Sequence, residues 1–335
     1  MKKTTILLAL ISMFIFFTSC DHDTEKKKTY EFNYAVFFPA THLQAQTAEA
    51  WAQELEKRSD GQIKITFFPG GTLTKAAQTY EAVVSGVADI GMSVFAYSKG
   101  RFPLLEGLDL PVGYPDGTTA TRIANEIVRK YKPEELSDVH VLYLHAHGPG
   151  ILASKKRVAR PSDIASMKIR ATGLSASIVS ALGGIPLSMS QGDTYEALQK
   201  GVVDATLCPV ETLKGWKQGE VIDYVIDTKA IGYTTTMFVV MNKAKWDSLP
   251  ENLQTIMSEV SDEWILKQGE AWDESDRQGE AFVKELGKTF ISFSDEDNSQ
   301  LVTAMEPLFE EYVKATKAEG LAGDQVLNDI RNMLK

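Results

Sequence analysis

One eleven-residue pattern occurs twice in this chain, at Thr79–Asp89 and at Thr194–Asp204, and both copies read T-Y-E-A-x-x-x-G-V-x-D. The pattern describes a helix, a glycine stop and an aspartate leading into a strand. Gly86 and Gly201 suit the left-handed backbone position that ends a helix. The separation is far too long for a solenoid repeat. Two copies this far apart predict two lobes built on one plan.

The flanking segments agree in kind. Lys64–Phe68 is rich in strand-forming residues and runs into the turn Pro69-Gly70-Gly71. In the second half Lys168–Thr172 reads as a strand, and Gly173 turns it into a helical run from Ser175 to Leu182. Further strands are expected at Tyr30–Phe37, Asp89–Ser93, Val139–His145 and Met237–Met241, and helices at Thr41–Arg58 and Gly117–Tyr131. Strands alternating with helices make an α/β fold with mixed, mostly parallel sheets. From Pro250 to Leu286 the apolar residues keep helical spacing, with Pro250 and Gly287 as start and stop. Such a helix runs about 50 Å, longer than one lobe, so it is expected to lie across both.

The N-terminus has the layout of an export signal. Met1-Lys2-Lys3 is basic, Thr5–Phe17 is almost wholly apolar but short for a bilayer span, and Thr18-Ser19-Cys20 precedes a polar stretch. Phe17-Thr18-Ser19-Cys20 resembles a bacterial lipobox, which implies cleavage after residue 19 and lipidation of Cys20; an ordinary signal with an incidental cysteine is the alternative. Asp21 resembles the residue that retains lipoproteins at the inner (cytoplasmic) membrane of the periplasm. Residues 21–29 then form a solvated tether. The net charge of −10 argues against a nucleic-acid partner. Only Cys208 remains after lipidation, so no internal disulfide framework is expected. The sequence has no nucleophile elbow, no P-loop and no spaced metal-ligand set. His145-x-His147 lacks an acidic partner at a recognisable spacing. Neither an enzyme, a metal site nor a cofactor is expected.

Arg170 is the first candidate for binding chemistry. Alternation puts it on one strand face with Lys168 and Thr172, which leaves its burial open. The helix that opens just beyond it offers free N–H groups to an anion, and arginine's planar fork pairs bidentately with a carboxylate. A surface arginine paired with a nearby acid is the competing reading.

The run K-I-R-A-T-G from Lys168, then A-L-G-G-I-P-L-S-M from Ala181 and the second repeat, resembles the substrate-binding subunits (DctP-like) of tripartite ATP-independent periplasmic (TRAP) transporters. The first half adds His42, Trp51–Arg58, Gly61–Ile65, Gly70–Leu73 and Gly86–Gly91. The resemblance spans the mature chain. It implies a two-lobed periplasmic binding protein fold with hinge strands and a long helix across both lobes. It implies lobe I from residues 30–150 plus about 240–265, and lobe II from 151–239 plus about 266–335. It implies that Arg170 grips a ligand carboxylate, and that small and large membrane subunits receive the ligand, driven by an ion gradient. A subunit that feeds a sensor kinase is the alternative of another class.

Two departures from the family narrow the ligand. Cys208 stands where the family carries an asparagine that touches the ligand, and a thiol is a weak donor. Gly150 stands where some relatives carry a second arginine. One arginine favours a monocarboxylate or keto acid with an apolar or aromatic body over a C4-dicarboxylate or sugar acid. Phe95 is expected as an aromatic wall and His147 as a donor to a keto or carboxylate oxygen. Thr74, Lys75, Gln191, Trp216, Phe38 and Gln44 complete the expected lining.

Overall fold

The computed structural model describes residues 28–98 and 100–335. The export signal, Cys20 and most of the tether lie outside the described residues. The chain starts in lobe I with β1 (Tyr30–Val36), α1 (Leu43–Arg58), β2 (Ile63–Phe68), α2 (Thr79–Val84), β3 (Ile90–Val94), α3 (Gly117–Tyr131) and β4 (Val139–Ala146). It crosses at 147–150 into lobe II with β5 (Ile151–Ser154), β6 (Lys168–Ala171), α4 (Leu174–Ala181), β7 (Ile185–Ser188), α5 (Gln191–Gln199), β8 (Ala205–Cys208), α6 (Thr212–Gly215) and β9 (Tyr224–Asp227). It returns at 228–235 into β10 (Thr236–Asn242), α7 (Lys243–Asp247) and the long α8 (Glu251–Glu285). Then follow β11 (Thr289–Ser292), α9 (Asp295–Thr303), α10 (Glu306–Ala318) and α11 (Gly323–Met333).

Each lobe holds one mixed sheet. Lobe I has the order β2-β1-β3-β10-β4 and lobe II the order β11-β9-β5-β8-β6-β7. Each sheet pairs in parallel except around one reversed strand, β10 in the first and β5 in the second. These are the strands by which the chain arrives in a lobe after crossing, so the crossings impose the reversal.

The repeat has a structural reason. Gly86 and Gly201 take φ of 77° and 71° after α2 and α5, a conformation glycine adopts without steric cost. Thr79 Oγ1 donates to the Lys75 carbonyl and Thr194 Oγ1 to the Ser190 carbonyl, each at 3.1 Å. Asp89 accepts from the Asn33 backbone N–H at 2.8 Å, and Asp204 accepts from the Lys168 N–H at 3.0 Å. Each repeat aspartate therefore ties its strand to the neighbouring one.

Helix α8 packs on α1, α3 and β4 in lobe I and on α6 in lobe II. Two glycines allow the close crossings. A Cβ at Gly269 would sit 2.8 Å from Thr118 Cα, and one at Gly279 would collide with the Val210 carbonyl. Trp272 still belongs to the lobe I core and Val283 to that of lobe II. The helix thus changes lobes later than the boundary near residue 265 read from the sequence. The C-terminus also departs from that reading. Val326 and Ile330 of α11 are buried in the lobe I core and Asp329 pairs with Lys130 of α3, while Leu327 is buried in the lobe II core, so the last helix lies against both lobes. An amphipathic helix goes wherever an apolar face awaits it, and sequence order does not reveal which lobe offers that face.

Candidate functional site

Arg170 sits in β6 between Ile169 and Ala171, which both point into the lobe II core. Lys168, at the strand's start, is exposed, whereas Arg170 is only 6% exposed because lobe I covers it. Its Nε and Nη2 both donate to the Met189 carbonyl, at 3.2 and 3.1 Å, and Thr172 Oγ1 donates to the same oxygen at 3.1 Å. Among the described residues no carboxylate pairs with this guanidinium. A guanidinium has five N–H donors, and a buried cation is costly unless it is paired. Arg170 lines a cavity of about 40 Å³ between the lobes, beside Tyr97. This space is far smaller than the several hundred Å³ usual for ligand pockets, so admitting a ligand requires the lobes to part.

Aromatic side chains make the opposite wall. Phe37 lies 4.1 Å from Phe38, centroid to centroid, and stacks on Trp216 at 5.9 Å and 21°. Phe37 and Phe38 come from the turn after β1, whereas Trp216 follows α6 in the other lobe. Tyr97, just past β3, accepts from the Gln191 N–H at 3.0 Å and so bridges the lobes. The Gln191 Nε2 and Trp216 Nε1 donors are buried without a partner among the described residues and belong to cavity-lining residues. Both were expected from the sequence, as was Phe38, and the structure brings all three to the cavity.

His147 also lines the cavity, but its expected role as a donor is overturned. Its Nδ1 lies 2.5 Å from the Gly148 carbonyl. A carbonyl only accepts, so the proton of the neutral ring is on Nδ1 and Nε2 is an acceptor. Burial pushes its pKa down to about 4, helped by the positive charge of Arg170.

Other expected residues lie elsewhere. Cys208 is buried in the lobe II core beside Ile151 and Leu213, and it is its strand neighbour Leu207 that faces the cavity. Burial raises the Cys208 thiol to about 11, so it is an inert core residue. Thr74 Oγ1 bonds Thr79 Oγ1 at 2.9 Å, and Lys75 is exposed; neither lines the cavity. Gln44 is fully buried against Gln268 of α8. Phe95 packs on Phe102 and Phe238 and walls a neighbouring interlobe cavity of about 450 Å³, beyond Tyr97 and Thr172. Asp109 lines this second cavity, and burial raises its carboxyl to about 7 although it accepts from the Thr236 N–H.

Gly150 has a steric explanation. A Cβ there would fall inside the ring of Tyr233, which occupies the space a longer side chain needs. Sequence reasoning missed Tyr233, Tyr97 and the buried pair His42–Glu211, which join the lobes beside the cavity. No local pattern marks them, because each partner is contributed by a distant part of the chain.

The chain matches the DctP family, described as bacterial extracellular solute-binding protein, family 7, over residues 34–316. It belongs to that family. It is similar to a TRAP periplasmic solute-binding protein from Desulfovibrio salexigens, solved as an open complex, at 32% identity and a TM-score of 0.80, covering 90% of this chain and 95% of that one. It is similar to a TRAP solute-binding protein of an unidentified marine microbe, specific for aromatic acids and solved with 3-hydroxybenzoate (26% identity, TM-score 0.86, 91% and 98% covered). A third is the Bordetella bronchiseptica protein with bound (R)- and (S)-mandelate (25% identity, TM-score 0.85, 91% and 98% covered). The protein is thus a periplasmic TRAP solute-binding protein, a non-enzymatic transporter component that binds a small organic acid. As a DctP-family member it works with TRAP membrane subunits.

Proposed function

We propose that this protein captures a monocarboxylate with an apolar or aromatic body, held by Arg170, and delivers it to the small and large TRAP membrane subunits. The observation that carries this reading is the buried Arg170 guanidinium, which meets a backbone carbonyl and, among the described residues, no carboxylate. The bridging Phe37, Phe38 and Trp216 supply an apolar wall. Among the described residues Arg170 is the one cation lining this cavity, and Glu211 lines it too, so a second carboxylate on the ligand would meet repulsion. Relatives that bind 3-hydroxybenzoate and mandelate support the same class. The test is a thermal-shift screen, followed by calorimetry, of aromatic and branched monocarboxylates against succinate and glucuronate. A ligand at 100 times its Kd adds about 2.7 kcal/mol of apparent stability. Binding of succinate or glucuronate alone would refute the reading.

The second part of the proposal is a lipid anchor on Cys20, carried by the lipobox-like Phe17–Cys20 after a short apolar run. Two or more acyl chains hold a protein stably at a membrane. Full-length protein should take up labelled palmitate and fractionate with inner membranes, and Cys20→Ser should end both. Soluble, unlabelled wild-type protein would exclude the anchor.

A further inference from the structure

We infer that His147 selects ligands that carry a hydroxyl donor besides the carboxylate, favouring a hydroxy acid over the matching oxo acid. The inference rests on the carboxylate reading of the same cavity. Its basis is geometric. The Gly148 carbonyl, 2.5 Å from Nδ1, fixes the ring proton there. The other ring nitrogen, Nε2, keeps its lone pair. Tyr233 and Trp272 hold the ring edge-on, at centroid distances of 5.7 and 6.1 Å, which limits its rotation. The side chain is 2% exposed and lines the Arg170 cavity. Burial and the charge of Arg170 both oppose a second proton on the ring.

The polar groups of the cavity are otherwise rich in donors. Arg170, Gln191 Nε2 and Trp216 Nε1 all offer N–H groups. They satisfy carboxylate oxygens and an ether or carbonyl equally well. The lone pair of His147 breaks that symmetry. A ligand hydroxyl donates to it, whereas an oxo oxygen at the same place faces it lone pair to lone pair. A buried acceptor left unpaired in this way is what lets a polar site reject a close analogue. Glu211, lining the same cavity with Oε2 engaged by His42, adds to the preference for a donor on the ligand.

The test measures Kd at pH 7.5 for paired acids of equal size: mandelate against phenylglyoxylate, 2-hydroxy-3-methylbutanoate against its oxo acid, lactate against pyruvate, and malate against oxaloacetate. Phenylacetate serves as the donor-free control. In whichever pair binds, the hydroxy acid should bind at least 10-fold tighter. His147→Phe, which keeps ring packing but removes the acceptor, should bring that ratio near one. Equal or tighter binding of the oxo acid, or a ratio that survives His147→Phe, overturns the inference. Binding of the malate pair alone refutes the monocarboxylate reading, yet its ratio still decides the role of His147.

Discussion

His42 Nε2 lies 2.6 Å from Glu211 Oε2, and the two side chains join lobe I to lobe II with almost no exposure to solvent. His42 caps α1, and its Nδ1 accepts from the Gln44 N–H at 3.2 Å. The proton must therefore sit on Nε2, where it is donated to the carboxylate. Glu211 is positioned in turn by its own backbone N–H, which donates to Asp276 of α8 at 2.8 Å. This contact, the Tyr97–Gln191 bond and the approach of Ala96 to Gly173 (2.5 Å to a Cβ placed there) define the closed form.

Removal of the latch should weaken binding through faster release. A hydrogen bond to a charged group contributes about 1.5–3 kcal/mol. Glu211→Ala should therefore raise Kd roughly 10- to 100-fold, mostly in koff, because the bond forms after the ligand has docked. Stopped-flow fluorescence of Trp216 provides the readout. An unchanged koff would mean that the pair does not hold the lobes together.

Gly215 sets how close the two lobes come. A Cβ there would land against His42 Nε2 and 2.8 Å from Glu211 Oε2. Gly215→Ala should leave each lobe folded but hold them apart. Small-angle scattering should then report a larger radius of gyration with saturating ligand than wild type gives, along with weaker binding. Ligand-induced compaction equal to that of wild type would contradict this account.

Arg170 should be needed for binding but not for folding. Arg170→Met should abolish measurable carboxylate binding and, by removing a buried charge that has no acidic partner among the described residues, raise the Tm of the ligand-free protein by about 2–4 °C. Arg170→Lys should lose most affinity as well, since an ammonium cannot reproduce the planar fork. Retained affinity in Arg170→Met would dismiss the site assignment.

Asp109 gives a pH signature with a definite sign. Its folded carboxyl titrates at about 7 against an ordinary value of 3.8, so between these values the folded chain holds a proton that the unfolded chain has lost. This contribution to stability is complete below the ordinary value and is lost as pH rises through about 7. Asp109→Asn should therefore gain Tm relative to wild type between pH 4 and pH 7, with no further gain above. The buried His145 and His147, held down to about 3 and about 4, act with the opposite sign below their ordinary value of 6.5, so the comparison must be made against wild type at each pH. A pH-independent difference between the two proteins would exclude a buried, protonated Asp109.

The sequence by itself determined the elements whose causes are local. The repeat, with its threonine and glycine, specified a helix and a left-handed stop in each lobe, and both roles lie within a short stretch of backbone, whereas the partners of its aspartates, Asn33 and Lys168, came from distant strands. The 35-residue α8 was legible from helical spacing and its terminal residues. Arg170 was legible as a candidate because a helix opens just beyond its strand and its planar fork suits a carboxylate. Tertiary structure alone decided what depends on apposition. Whether Arg170 faced solvent or the cleft hung on lobe I covering it. Whether Cys208 or Leu207 faced the cavity hung on which side of β8 met the core. His42 met Glu211 only because two crossings and α8 fold one lobe onto the other. A linear pattern records a residue's own periodicity and caps, but a contact between groups 169 positions apart is written in neither neighbourhood.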